Sequence, residues 1–321
     1  MKRRNLLLGL AGATAVTTLP RIAAAQDDTL TIVATTGMIA DTARRIAGPL
    51  AEVRGLMGPG VDPHSYRQTR SDIVAITRAD LVLWHGLYLE AQMEEFFKRL
   101  ATSRNVVAVG EAVPSDLLLR HADYENKADP HVWMAPELWR PVALRVRDAL
   151  IDARPEHAEI FTANAEVFVA EIDALVAYAH ETLAKVPEPA RVLVTAHDAF
   201  GYFGRAYGFE VLGIQGISTE SEAGLQRIRM LVDTLVTRDI KAVFVESSVS
   251  DRNIRALVEG AAAQGHDVRI GGELFSDAMG QADTYEGTYI GMLDHNITVI
   301  ARALGADVPA QGMSGKLSAG I

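Results

Sequence analysis

Four side chains able to bind a metal ion, His64, His131, His197 and Asp277, are spread along this 321-residue chain. Two of the histidines close the same tripeptide, once in GVDPHSYRQT and again in ADPHVWMAP. Proline fixes its own φ, biases the preceding Asp towards extended backbone and removes a donor, so an imidazole behind Asp-Pro leaves its loop in few directions. Such a ligand loses less entropy on binding. The Asp is also placed to orient the loop or to accept from an imidazole N–H. Three imidazoles and a carboxylate suit Zn²⁺ in a tetrahedron, and Mn²⁺ or Fe²⁺ also occupy such a shell. With no cysteine in the chain, a metal site has only His, Asp and Glu to draw on.

Each residue also has an ordinary reading. A loop histidine taken singly is more often a surface or capping residue. Asp277, in ELFSDAMG, reads equally as a helix N-cap. His85, in LWHGLYLE, is read as packing or support for the site ahead of a direct ligand. Glu246, closing AVFVE, and Asp198 are read as hydrogen-bond partners of a ligand or loop. Tyr202 and Arg205 are assigned to packing behind His197, His157, His180 and His266 to solvent, and His295 to a structural role.

Ligands in α/β proteins sit at strand ends and in the loops that follow, so the elements decide whether these four residues meet. TLTIVATT, VRGLM, ADLVLWHG and NVVAVG read as strands, with MIADTARRIAG, SDIVAIT, LEAQMEEFFKRLATS and PELWRPVALRVRDALID as helices between and after them. A second series offers RVLVTAHDA, FEVLGIQG, AVFVESS and HDVRI as strands, with helices GLQRIRMLVDTLVTR, NIRALVEGAAAQ and TYIGMLDHNITVIARALG. Between them, PEHAEIFTANAEVFVAEIDALVAYAHETLAKV has no internal Pro or Gly and spaces Phe161, Val167, Phe168, Ile172, Leu175, Val176 and Leu183 helically. The expected fold is α/β: two lobes, each a parallel sheet flanked by helices, joined by one long rigid helix, with a cleft between them. The expected boundaries are a first lobe over 26–153, the connector over 154–186, a second lobe over 187–308 and a flexible tail over 309–321.

Residues 1–25 carry Lys2, Arg3 and Arg4, then LLLGLAGATAV, then three alanines, the order of a cleaved secretory signal peptide. The paired arginines leave both the general and the twin-arginine export routes open. Setting aside those residues and Arg21 leaves 27 basic against 41 acidic side chains, about −14. Nucleic acid is therefore not an expected partner, since phosphate binding calls for a basic face. The expected setting is a periplasm, as a soluble monomer.

These motifs, with TAHDAFGYFGRAYG, VFVESSVS and EGTYIGMLDHN, resemble the zinc- and manganese-binding solute receptors of ABC transporters over about residues 29–304. The resemblance implies a periplasmic protein that captures a divalent metal ion between its lobes and delivers it to an ABC transporter permease. It implies His64 and His131 as ligands from the first lobe, and His197 and Asp277 from the second. Manganese-type members usually carry Glu where this chain has His197, so zinc is favoured and manganese is the alternative. The chain lacks the acidic, histidine-rich loop of many zinc receptors, having only His121 in LRHADYENKADPH before the ligand, which is closer to a mixed zinc/manganese subset.

Three other functions compete. An exported zinc-dependent hydrolase would leave one coordination position to water and set a general base beside it, a role for Asp198 or Glu246. No HExxH or nucleophile motif supports it. A receptor for a metal chelate would need aromatic or Arg groups in the cleft, and an adhesin would need an anchor. A receptor has no catalytic residue and so is not an enzyme.

Overall fold

A computed structural model describes residues 29–120 and 127–318. The expected signal peptide and His121 lie outside the described residues. The first lobe is built on strands β1 (Leu30–Ala34), β2 (Ala51–Gly55), β3 (Leu81–Trp84) and β4 (Val106–Ala108), all parallel and ordered β2-β1-β3-β4. β3 is buried at every position and β1 at all but one, which is why both read as unbroken apolar runs. Edge strand β2 alternates instead between exposed and half-buried positions. Helices α1 (Gly37–Ala47), α2 (Arg70–Arg78), α3 (Glu94–Leu100) and α4 (Pro136–Ala153) belong to this lobe.

The connector is α5, Ala158–Leu183, 26 residues and about 39 Å long. It buries Phe161, Ala165, Phe168, Ile172, Leu175, Ala179 and Leu183, a stripe that steps by three or four residues. Val167 was expected on that stripe, but it is 60% exposed.

The second lobe holds β5 (Val192–Thr195), β6 (Glu210–Gly213), β7 (Ala242–Glu246) and β8 (Arg269–Leu274), with α6 (Gly201–Tyr207), α7 (Leu225–Thr237), α8 (Arg252–Ala263) and α9 (Tyr289–Ala303). Its strands form two parallel pairs, β5-β6 and β7-β8, with β5 packed beside β7. A register shift at Val243/Phe244 marks the second pair.

Three local expectations are corrected. The strand expected over HDVRI begins at Arg269 and runs through Gly271 and Gly272, because α9 lies so close that a Cβ on Gly272 would stand 2.6 Å from Val299. The helix expected from Leu89 starts only at Glu94. Before it, Gly86, Leu87 and Tyr88 take positive φ of 79°, 53° and 68°, in a turn held by buried Glu90, which accepts from the backbone of His85 at 2.8 Å and of Gly86 at 3.2 Å. Residues 309–318 are not a loose tail: Leu317 is buried, and Met313 N–H donates to Asp294 Oδ1 at 2.8 Å.

Candidate metal centre

The two Asp-Pro-His copies fold alike. Asp62 Oδ1 accepts from the backbone N–H of His64 at 2.9 Å, and Asp129 Oδ1 accepts from that of His131 at 2.9 Å. Each Asp thus closes a small turn around its proline. Asp129 Oδ1 also takes His131 Nδ1 at 2.7 Å. A ring that donates through Nδ1 presents the lone pair of Nε2 to the cleft. His85 supports the same loop, its Nε2 lying 2.8 Å from the Pro130 carbonyl.

In the second lobe, His197 stands two residues beyond β5. Glu246, the last residue of β7, accepts from His197 N at 2.9 Å through Oε1 and from Nδ1 at 2.5 Å through Oε2. Asp277 follows β8 by three residues in a bend where no helix begins, which removes its reading as an N-cap. The adjacent Ser276 carbonyl accepts from Trp133 Nε1 at 2.8 Å, so a first-lobe indole holds the Asp277 loop in place.

These four loops bring one ligand atom from each of His64, His131, His197 and Asp277 within 4.8 Å of one another, all buried. His64 Nε2 lies 3.2 Å from His131 Nε2, and His197 Nε2 lies 3.2 Å from Asp277 Oδ2. His131 Nε2 is 3.4 Å from Asp277 Oδ1, and His64 Nε2 is 4.0 Å from Oδ2. A tetrahedron with bonds of about 2.0–2.1 Å has edges of roughly 3.3 Å, so the spacing suits an ion the size of Zn²⁺. His197 Nε2 and both Asp277 oxygens are buried without a hydrogen-bond partner. Orphaned polar atoms converging on one point are what an ion would satisfy.

The electrostatics divide the ligands. Burial pulls His64 down to about 4. Burial opposes charge on His131 as well, but Asp129 and Asp277 outweigh it and lift the ring to about 9. Glu246 and Asp277 likewise overcome burial and raise His197 well above its usual value. Asp277, though buried, is held well below the carboxylate range by the facing imidazoles. A cation bound here would compete with the protons that the carboxylates favour on His131 and His197.

The remaining candidates do not join the cluster. His85 is fully buried against Trp133 and Trp139, and burial lowers it to about 3. His266, expected in solvent, is buried with Nε2 2.8 Å from the Ile240 carbonyl. His180 is exposed, His157 half-buried, and His295 bonds the Glu273 carbonyl at 2.9 Å. Tyr202 and Arg205 do not pack only behind His197: they reach across to the first lobe. Tyr202 donates to the Asp129 carbonyl at 2.7 Å, and Arg205 Nη2 donates to the Leu117 carbonyl at 2.7 Å. The role of Trp133 had no separate signal, although it stands two residues past His131 within the motif.

Two α/β lobes on a stiff helix, enclosing a buried shell drawn equally from both, define a receptor that holds a small ligand between its lobes. Residues 32–303 match the family of the zinc-uptake complex component A, periplasmic, ZnuA, and the chain belongs to this family. It is 47% identical over 283 residues to the zinc-binding protein TroA of Treponema pallidum (strain Nichols), covering 88% of this chain and 91% of that protein. It is 46% identical over 278 residues to the manganese-binding lipoprotein MntA of Bacillus subtilis (strain 168), covering 87% and 90%. The iron-binding protein YfeA of Yersinia pestis is 33% identical over 274 residues, covering 85% and 86%. The solved structure of the periplasmic zinc binding protein TroA from Treponema pallidum superposes with a TM-score of 0.84 at 46% identity, covering 86% of this chain and 99% of that one.

Proposed function

We propose that the chain is a periplasmic, monomeric receptor that captures a divalent transition metal through His64, His131, His197 and Asp277 and passes it to an ABC permease. Zinc is the favoured cargo, because three imidazoles and one carboxylate form a softer shell than manganese prefers. Manganese is the alternative, since both Asp277 oxygens face the other ligands and a bidentate carboxylate makes a fifth bond. The relatives named for zinc, manganese and iron agree with a shell that discriminates by degree.

The observation that carries this reading is the buried, partnerless set of His197 Nε2 and Asp277 Oδ1 and Oδ2, facing two further imidazoles at ion-sized spacing. Affinity then comes from the four ligands, and release follows small lobe movements when the permease engages. The hydrolase reading loses one of its two candidate bases, since both oxygens of Glu246 are engaged by His197.

The test is elemental analysis with competitive Zn²⁺ and Mn²⁺ titration of the purified protein, beside His64→Ala, His131→Ala, His197→Ala and Asp277→Ala. One Zn²⁺ per chain is expected. Each variant should lose at least about 100-fold in affinity, more than the loss of a supporting hydrogen bond costs. Tight stoichiometric metal in all four variants would end the assignment.

A further inference from the structure

A shell this buried needs a way in. His64 retains 3% exposure, against 0% for His131 and His197. His64 also lines a narrow cavity, together with Leu87, Tyr88, Ala91, Pro130 and Ile217. Its volume of ≈ 20 Å³ is the room of about one or two waters, so a hydrated ion does not pass while the walls stand as they are.

One of those walls is fixed. Leu87 and Tyr88 sit in left-handed backbone, a conformation that bulky residues keep only where their surroundings over-determine it. Here the buried Glu90 does so, accepting from His85 N, Gly86 N and the Thr35 hydroxyl. The opposite wall is Ile217, in the segment between β6 and α7 that has neither helix nor strand. Two cross-lobe bonds hold this segment against the first lobe. Thr219 Oγ1 donates to Asp62 Oδ2 at 2.5 Å, and Gln92 Nε2 donates to Glu220 Oε1 at 2.6 Å.

Asp62 gives the first of these bonds a second meaning. Its Oδ1 takes the backbone N–H of His64, while its Oδ2 takes Thr219 and Ser65. A single carboxylate therefore orients a ligand of one lobe and fastens the wall contributed by the other. The matching Asp129 instead turns its Oδ1 to both the backbone N–H and the imidazole of its own histidine.

We propose that Thr219, acting through Asp62, is a positioning residue for His64, and that the Ile217–Glu220 segment closes the ion's access route and sets how fast the ion leaves. The proposal rests on the reading of His64 as a ligand. It separates two steps that the four ligands alone would merge: the ligands hold the ion, and the Thr219–Asp62 bond holds the door and the angle of His64 together.

The experiment loads the full chain with one equivalent of Zn²⁺ and follows its transfer to excess chelator by stopped flow. Thr219→Val should release the ion about tenfold faster, the factor that one hydrogen bond to a carboxylate supplies. Thr219→Ser, which keeps the hydroxyl, should restore the original rate. With Co²⁺ as probe, the visible absorption of the bound ion should shift in Thr219→Val and return in Thr219→Ser, a readout that a purely structural bond would not move. Release from Thr219→Val at the wild-type rate overturns the proposal. If that variant does not fold, Gln92→Ala decides instead: faster release supports the closing segment, and an unchanged rate overturns it. Failure of the wild type to hold Zn²⁺ at all would overturn the receptor reading itself, and this proposal with it.

Discussion

Glu246 stands behind His197 with one oxygen on the ring Nδ1 and the other on the backbone N–H, so it fixes both the tautomer and the direction of that ligand. Glu246→Gln keeps the shape and removes the charge, and should weaken Zn²⁺ binding about 10–100-fold in a competitive titration. An unchanged affinity would reduce Glu246 to packing. His197 itself bears on the choice of ion. His197→Glu replaces a borderline donor with a hard one and should raise the ratio of Mn²⁺ to Zn²⁺ affinity, read by titrating both ions against one chelator. An unchanged ratio would place selectivity elsewhere in the shell. At this scale much could be read from the sequence. The prolines mark His64 and His131 as aimed residues, and Glu246 is legible as a partner because it ends a strand neighbouring that of His197. The link from Asp62 to Thr219 was not, since it joins residues 157 apart and no local pattern records a contact across a cleft.

Helix α2 shows how an element places a ligand loop without touching the ion. It begins after the His64 loop, and Thr69 and Asp72 form a capping box at its start. Asp72 also accepts from the Tyr66 hydroxyl at 2.7 Å and meets Arg54 at 3.2 Å, which fastens the loop's return to β2. Burial opposes the charge on Asp72, but bonds from Thr69 and Tyr66 and the Arg54 cation hold its carboxyl below the usual range. A depressed folded-state value stabilises the fold above the unfolded value of about 3.9 and ceases to do so as pH falls through the folded one. Asp72→Ala should therefore cost about 1–2 kcal/mol in denaturant unfolding at neutral pH, with the gap to wild type closing below about pH 4. A gap that is constant with pH would mean the charge is idle. Element types follow from periodicity and caps here, whereas boundaries shift where tertiary groups intervene. Glu90 delays α3 to Glu94, and the close approach of α9 to β8 is made at a pair of glycines that weaken the strand signal.

Each lobe has a small apolar core of its own, but the largest interior is common to both. One apolar cluster runs from β1, α1 and α4 through the stripe of α5 into α6 and α9. Tyr289 at the head of α9 stacks on Trp139 of α4 with centroids 5.2 Å apart, and its hydroxyl donates to the Trp133 carbonyl at 2.9 Å. Its backbone N–H reaches Asp41 Oδ2 of α1 at 2.9 Å. Wide rotation of one lobe against the other would tear this core open, so motion belongs at the cleft rim, where loops meet through side chains. The same continuity sets how the molecule should unfold. An ion held by ligands from both lobes stabilises only the state in which both are folded, by about 4 kcal/mol when free ion exceeds Kd a thousandfold. For a chain of this size that amounts to a rise in Tm of roughly 6–7 °C. Calorimetry of the protein with and without Zn²⁺ should show a single transition that moves upward as a whole. Two transitions, with only one responding to the ion, would mean that the lobes fold independently and that α5 links two cores.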